Sequence, residues 1–350
     1  MSPRDPVADL RRIAFLLERG LQSTYRVKAF RAAGAALALL TPDEIAAHSE
    51  AGTLTTLAGV GDTTAAVITQ SLAGEVPEYL AAAEASHGGP LTEGGAQLRA
   101  ALRGDCHSHS DWSDGGSPIP EMAVTAAELG HEYLVLTDHS PRLKVANGLS
   151  PARLRRQLDV LGHLAGPLAP FRLLSGIEVD ILDDGALDQE PELLERLDVV
   201  VASVHSKLAM ESAAMTRRML AAVADPHTDV LGHCTGRMVS DRNSRSGKGR
   251  PESSFDADAV FAACAEAGVA VEINSRPERR DPPTRLIRKA VDAGCLFSID
   301  TDAHAPGQLD WQVYGCERAE ACGVPPERVV TTWPVEDLLA WTADHRHRPA

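Results

Sequence analysis

The sequence predicts an α/β barrel of seven strands preceded by a small all-α N-terminal domain, and three observations carry that prediction. From residue 100 onward, short apolar runs alternate with helix-patterned segments, as in parallel strands joined by right-handed crossovers. Before about residue 85 the pattern is helical only, and a Gly-rich stretch separates the two regimes. Histidines and carboxylates recur at the ends of six of the seven apolar runs. An open doubly wound sheet would spread those ends along an edge, whereas a closed barrel gathers them at one mouth.

The elements follow in order. Helices are expected over 6–19, 25–40 and 42–48, with short helices on either side of Gly59-Val60-Gly61, making a domain of residues 1–85. Residues 86–99 contain SHGGPLTEGGAQ and have linker composition. The second domain is expected over 100–345. Its strands are read at 102–109, 133–137, 172–179, 199–204, 230–233, 269–274 and 296–300. Helices at 120–129, 151–164, 215–223, 257–267 and 285–293 lie between or after them.

Composition narrows the class. A chain of 350 residues with 44% hydrophobic residues buries a large core, and no stretch approaches a membrane span. The first helix has charges on both sides of a short apolar run, unlike a secretory signal, so a cytoplasmic location is expected. The six cysteines form no C-x-x-C pair and read as buried thiols; strand alternation turns Cys106 and Cys234 away from their neighbouring histidines. A net charge of −15 opposes a broad, sequence-independent grip on nucleic acid. Two local runs of cations without acids, Arg19 to Arg31 and Arg242 to Arg250, remain compatible with a bound phosphate backbone.

Nine side chains form a candidate metal-ligand set: His107, His109, Asp114, His139, Glu178, His205, His233, Asp302 and His304. Side chains at i and i+2 of a strand point the same way, so His107 and His109 can share one ion, and Asp302 and His304 can line one wall. Imidazole suits Zn, Mn and Fe alike, and a carboxylate with two oxygens can bridge two ions. Lys207 follows strand four, Arg237 and the Arg242 to Arg250 run follow strand five, and Arg276, Arg279 and Arg280 follow strand six; Lys207, Arg237 and Arg276 are the expected phosphate clamp, since a guanidinium fork matches phosphate.

The motifs D-x-H-x-H-x4-D-G, T-D-H, G-x-E-x-D-I, S-V-H-S, G-H-x-T-G-R, E-I-N and D-A-H together resemble the polymerase and histidinol phosphatase (PHP) domain over residues 100 to about 332. The version at the C-terminus of bacterial family X DNA polymerases is the most similar, because ERGLQSTYRVKAFRAAGAAL and LAGVGDTTAAVI also resemble the N-terminal eight-kilodalton domain of those enzymes. The resemblance implies a distorted seven-stranded barrel, like a TIM barrel with one unit fewer, and three divalent ions. It groups His107, His109, Glu178 and Asp302 on one ion; Glu178, His205 and His233 on a second; and Asp114, His139 and His304 on the third. Glu178, His205 and Asp302 are then the expected catalytic residues.

Phosphoester hydrolysis follows from such a centre, because clustered cations generate a nucleophile from water near neutral pH and neutralise the phosphoryl oxygens. The segment around Gly59 and Gly61 looks like a helix-hairpin-helix, whose main-chain N–H groups meet DNA phosphates; a glycine turn between two packed helices is the alternative. Arg26, Lys28 and Arg31 are the expected phosphate-contacting cations beside it. Val67 stands where the family's Schiff-base lysine would fall, so lyase chemistry is not expected. Between Leu80 and Leu102 there is no room for polymerase fingers and palm. The expected activity is DNA 3′-end processing of the DNA-repair kind, as a 3′-5′ exonuclease or 3′-phosphatase acting on DNA ends. The alternative is a phosphatase for a small phosphomonoester such as histidinol phosphate.

Overall fold

The computed structural model describes residues 4–240 and 248–346, so Arg242 and Arg245 of the second basic run lie outside the described residues. The chain folds into two compact units, Met1–Pro90 with Pro306–Gln308, and Leu91–Ala305 with Leu309–Ala350.

The first unit is helical: α1 (Pro6–Arg19), α2 (Thr24–Leu37), α3 (Pro42–Glu50), α4 (Asp62–Leu72) and α5 (Glu78–His87). α1 starts at Pro6 because Asp5 accepts a hydrogen bond from the Val7 N–H and proline presets the first turn. A Thr41–Glu44 capping box fixes the start of α3. Leu10, Ile13, Phe30, Leu37, Ile45 and Ile68 meet in one core, each such burial contributing about 1.5–3 kcal/mol.

This unit bears on three expectations. Gly59 has φ +91°, and an added Cβ would lie 3.2 Å from Ala32, so the turn and its packing on α2 already require glycine. Gly61 caps α4, and its N–H is taken by Thr64 Oγ1 at 2.9 Å. Arg31 is paired, its guanidinium holding Glu18 at 2.9 and 2.7 Å with the Arg31 side chain only 11% exposed. Arg26 and Lys28 are exposed.

The second unit opens with α6 (Ala96–Ala101), which begins inside the Gly-rich stretch behind Gly95 at φ +81°. Seven parallel strands follow: β1 (Gly104–Ser108), β2 (Tyr133–Leu136), β3 (Arg172–Asp180), β4 (Val199–Ser203), β5 (Val230–Leu231), then β8 (Ala270–Asn274) and β9 (Phe297–Asp300). Between β5 and β8, β6 (Met238–Ser240) and β7 (Lys248–Arg250) form a separate antiparallel pair. Neighbouring barrel strands pair in the order β1-β2-β3-β4-β5-β8-β9, and a parallel bridge from Ser108 to Ala303 joins the two ends. The barrel is therefore nearly closed and distorted. A register shift interrupts β1, and β5 is only two residues long.

Around the strands run α7 (Ile119–Glu128), α8 (Pro151–Leu168), α9 (Pro191–Leu194), α10 (Ser212–Ala224), α11 (Ala257–Ala267), α12 (Thr284–Asp292), α13 (Gln312–Cys322) and α14 (Val335–Arg346). Period-2 alternation sorts the residues: Val200 and Ala202 of β4 join the large cluster with Ile177 and Val179 of β3, whereas Val199 and Val201 join Leu174, Val135 and Val230. Continuing the second set by twos reaches Glu178 on β3 and His205 after β4. Small residues make room on that face; a Cβ on Gly176 would come 2.6 Å from Val135 and 2.8 Å from the Val199 carbonyl. All six cysteines are free and buried. No helix among the described residues is long and apolar enough to cross a membrane.

Candidate metal centre

The ends of β1, β2, β3, β4, β5 and β9 deliver the nine side chains to one place, and Glu178 lies among five imidazoles. Its Oε2 is 2.7 Å from His139 Nδ1, 3.4 Å from His107 Nε2 and 3.6 Å from His109 Nε2. Its Oε1 is 2.8 Å from His233 Nε2 and 3.2 Å from His205 Nε2. Asp302, at φ +52°, stands 3.4 Å from His109 Nε2 and 3.5 Å from His304 Nδ1. Asp114 completes the outer edge, 3.4 Å from His139 Nε2 and 3.3 Å from His304 Nε2.

Buried polar atoms are nearly always hydrogen-bonded, yet here His107 Nε2, His139 Nδ1, Glu178 Oε2 and both ring nitrogens of His109 and His205 have no hydrogen-bond partner. They are near one another without donor–acceptor alignment. Lone pairs converging on shared space are what a cation requires, and the donor set of imidazoles and carboxylates suits a divalent transition metal. The residues fit the group. Candidate ligand atoms gather within 4.8 Å in three sets: His107, His109 and Asp302; His139, Glu178 and His205; and His109, Asp114, His139 and His304. The apportioning differs from the expected one, since His109 and His139 each belong to two sets and His233 touches Glu178 from outside them.

Electrostatics in the absence of ions follow the same geometry. Burial pushes the Glu178 carboxyl up, but His205, His107 and His139 outweigh it and hold the group well below the usual carboxylate range. Burial likewise opposes ionisation of Asp302, and Arg279, His109 and His107 reverse it. His139 is raised to about 10: burial works against its charge, and Glu178 with Asp114 prevails. Burial together with the neighbouring His304 and His139 drives His109 well below its ordinary value. Metal binding at His139 therefore displaces a proton, whereas His109 already offers a neutral ring.

Several groups that hold the ligands lie in the motifs E-I-N, G-x-E-x-D-I and T-D-H but have no role in the sequence reading. Glu272 on β8, the strand that supplies no ligand, is 2.6 Å from His107 Nδ1 through Oε1 and accepts the His233 N–H at 2.5 Å through Oε2. An acid inside the apolar run Val269-Ala270-Val271-Glu272-Ile273 was the available signal. Asp180 accepts the His205 N–H at 3.1 Å, and Asp138 accepts from Ser110, Ser113 and Gln157, bracing the turn that carries Asp114. Glu272, the one of these hydrogen-bonded to a ligand ring, fixes the tautomer and orientation of His107. Glu272→Gln is expected to weaken metal binding by about 10- to 100-fold with the fold intact, measured by metal titration beside circular dichroism; unchanged affinity would remove Glu272 from this role.

The cations of the expected phosphate clamp are placed differently from one another. Arg276 is at the centre, 2.9 Å from His304 Nδ1 and donating to the Asp302 carbonyl at 3.0 Å. Arg237 is held by its own surroundings, its Nε donating to the carbonyls of Arg279 and Arg280 at 3.2 and 3.0 Å and its Nη1 facing Glu252 at 3.5 Å. Lys207 is 62% exposed and paired with Asp183 at 2.5 Å. Arg279 instead points inward, its Nε 2.9 Å from Asp302 Oδ2 with the side chain 15% exposed.

The PHP domain family matches residues 105–276. A relative from Bacillus subtilis (strain 168), "DNA polymerase/3'-5' exonuclease PolX", is 34% identical over 240 residues, covering 69% of this chain and 41% of that protein. The chain thus spans about two fifths of that relative's length. A "Probable phosphatase" from Acetivibrio thermocellus is 30% identical over 241 residues, covering 65% of this chain and 90% of that one. Among solved structures, histidinol phosphate phosphatase from Lactococcus lactis, complexed with zinc, L-histidinol and phosphate, overlaps at a TM-score of 0.44 with 18% identity, covering 63% of this chain and 92% of that one. The matched segment holds seven of the nine clustered side chains, from His107 to His233 with Glu178 at their middle, and the chain belongs to the PHP domain family of phosphoester hydrolases.

Proposed function

We propose that this chain is a metal-dependent phosphoesterase that processes DNA 3′ ends, as a 3′-5′ exonuclease or 3′-phosphatase, using three divalent ions. The observation that carries the reading is Glu178 among five histidines whose buried ring nitrogens are largely unpaired. His107, His109 and Asp302 would hold one ion, Glu178, His205 and His233 a second, and Asp114, His139 and His304 a third, with Glu178 bridging. When bound, the ions lower the pKa of water and neutralise phosphoryl oxygens. The chain's own contribution is orientation and charge. Arg276 and Arg279 set guanidinium groups beside Asp302, where a phosphoryl oxygen is the complementary ligand, while Glu272 holds the ring of His107 and Asp180 holds the backbone N–H of His205. Six free, buried thiols suit the reducing cytoplasm.

The DNA reading draws on the likeness to the Bacillus exonuclease and on exposed Arg26 and Lys28 in the helical unit. A second reading, a phosphatase for a small phosphomonoester, draws on probable phosphatases that align over 90% of their own length. One experiment separates them. Wild type and the Arg26→Ala/Lys28→Ala variant are assayed on a 3′-recessed DNA duplex, the same duplex with a 3′-phosphate, histidinol phosphate and p-nitrophenyl phosphate across a salt series. DNA turnover is expected to fall in the variant at moderate salt, with the salt slope of binding reduced by about two units, while p-nitrophenyl phosphate turnover stays unchanged. Activity on small esters alone would overturn the DNA reading.

A further inference from the structure

Arg218, on α10, is 1% exposed, a rare condition for a guanidinium. Burying such a group is costly unless its donors are met, and here two loops meet them. Nε donates to the carbonyls of Ile181 and Leu182 at 3.1 and 2.8 Å, Nη1 donates to the Ser206 carbonyl at 2.9 Å, and Nη2 donates to Ile181. Ile181 immediately follows Asp180, and Ser206 immediately follows His205. The loop after β3 also lies flush on α10, since a Cβ on Gly185 would come 2.7 Å from the Arg218 carbonyl and 2.4 Å from Ala221. Asp180 and His205 in turn meet directly: Asp180 Oδ1 accepts the His205 N–H at 3.1 Å and stands 3.5 Å from His205 Nδ1.

We propose that Arg218 is a positioning residue for the metal centre. By hanging the residues after Asp180 and after His205 on one planar fork, it fixes the spacing of the two loops. That spacing sets the Asp180–His205 contact and aims His205 Nε2 at Glu178 Oε1, 3.2 Å away. The fork is essential to the role: five donors in a rigid plane reach two loops at once, which a single ammonium does not. The proposal rests on His205 and Glu178 being metal ligands.

The test uses the full chain, Co²⁺ as the probe, and Arg218→Met, Arg218→Lys and His205→Ala beside wild type. Circular dichroism reports the fold, and titration with the visible absorption bands of Co²⁺ reports the sites. Both Arg218 variants are expected to fold, to bind Co²⁺ about 10- to 100-fold more weakly at the sites lost in His205→Ala, and to show altered bands. Millimolar guanidinium ion is expected to restore part of the affinity of Arg218→Met, and ammonium ion none. Wild-type affinity and bands in both folded Arg218 variants overturn the proposal, and if His205→Ala has lost Co²⁺ in the same experiment the ligand reading still stands. Full Co²⁺ binding by His205→Ala overturns the ligand reading and the proposal with it. If Arg218→Met does not fold, Arg218→Lys decides; if neither folds, Arg218 is a folding residue and the positioning role falls.

Discussion

Glu178→Gln is expected to empty most of the metal centre and to lower phosphoester turnover by about 100-fold or more, beyond what the loss of an indirect partner costs. Each Glu178 oxygen faces at least two imidazoles, at 2.7–3.6 Å for Oε2 and 2.8–3.2 Å for Oε1. Glutamine keeps the size but exchanges one oxygen for an NH₂ that donates where a lone pair is needed, and it removes the charge that offsets closely packed cations. Those five histidines would then surround a neutral amide. Metal content by mass spectrometry, read beside turnover and circular dichroism, decides the matter. A folded variant with full metal and full turnover would remove Glu178 from the centre.

The second large effect concerns the outer edge. His139→Ala and His304→Ala are each expected to cost about one equivalent of bound metal, and the double variant no more than either alone, because residues serving one ion couple strongly. Both imidazoles reach the same Asp114 oxygen, at 3.4 and 3.3 Å. His139 also lies 2.7 Å from Glu178, so its loss is expected to weaken the neighbouring ion and to lower turnover further than the loss of His304. Two full equivalents missing from the double variant, one from each single, would assign the two histidines to different ions.

Much of this architecture is legible in the sequence because its signals are local. The seven apolar runs became the seven barrel strands, and their ends named the nine converging side chains, since a strand's residue pattern and the loop after it are properties of contiguous sequence. Boundaries are less legible: the fifth run reads as four residues and pairs over only two, and α5, α6, α9, α13, α14 and the β6–β7 pair are not among the elements expected from the sequence.

What the sequence by itself determined is the kind of chemistry: a helical N-terminal segment, an α/β barrel, and imidazole and carboxylate groups at its strand ends. Only the tertiary structure decided which of those groups act together. Arg237 and Arg279 follow the ends of β5 and β8 at nearly the same remove, six and five residues, yet Arg237 donates to backbone carbonyls while Arg279 turns to Asp302. Arg31 reads as a free cation until Glu18, thirteen residues earlier, is found paired with it. Glu272 lies 165 positions from His107, the ring it holds, and Arg218 lies 12 and 37 positions from the carbonyls it joins. The physical reason is common to all of these. Helical and strand periodicities are written residue by residue, whereas an ion pair or a hydrogen bond across loops exists only once folding has brought distant segments within about 3 Å and excluded the water that would otherwise satisfy them.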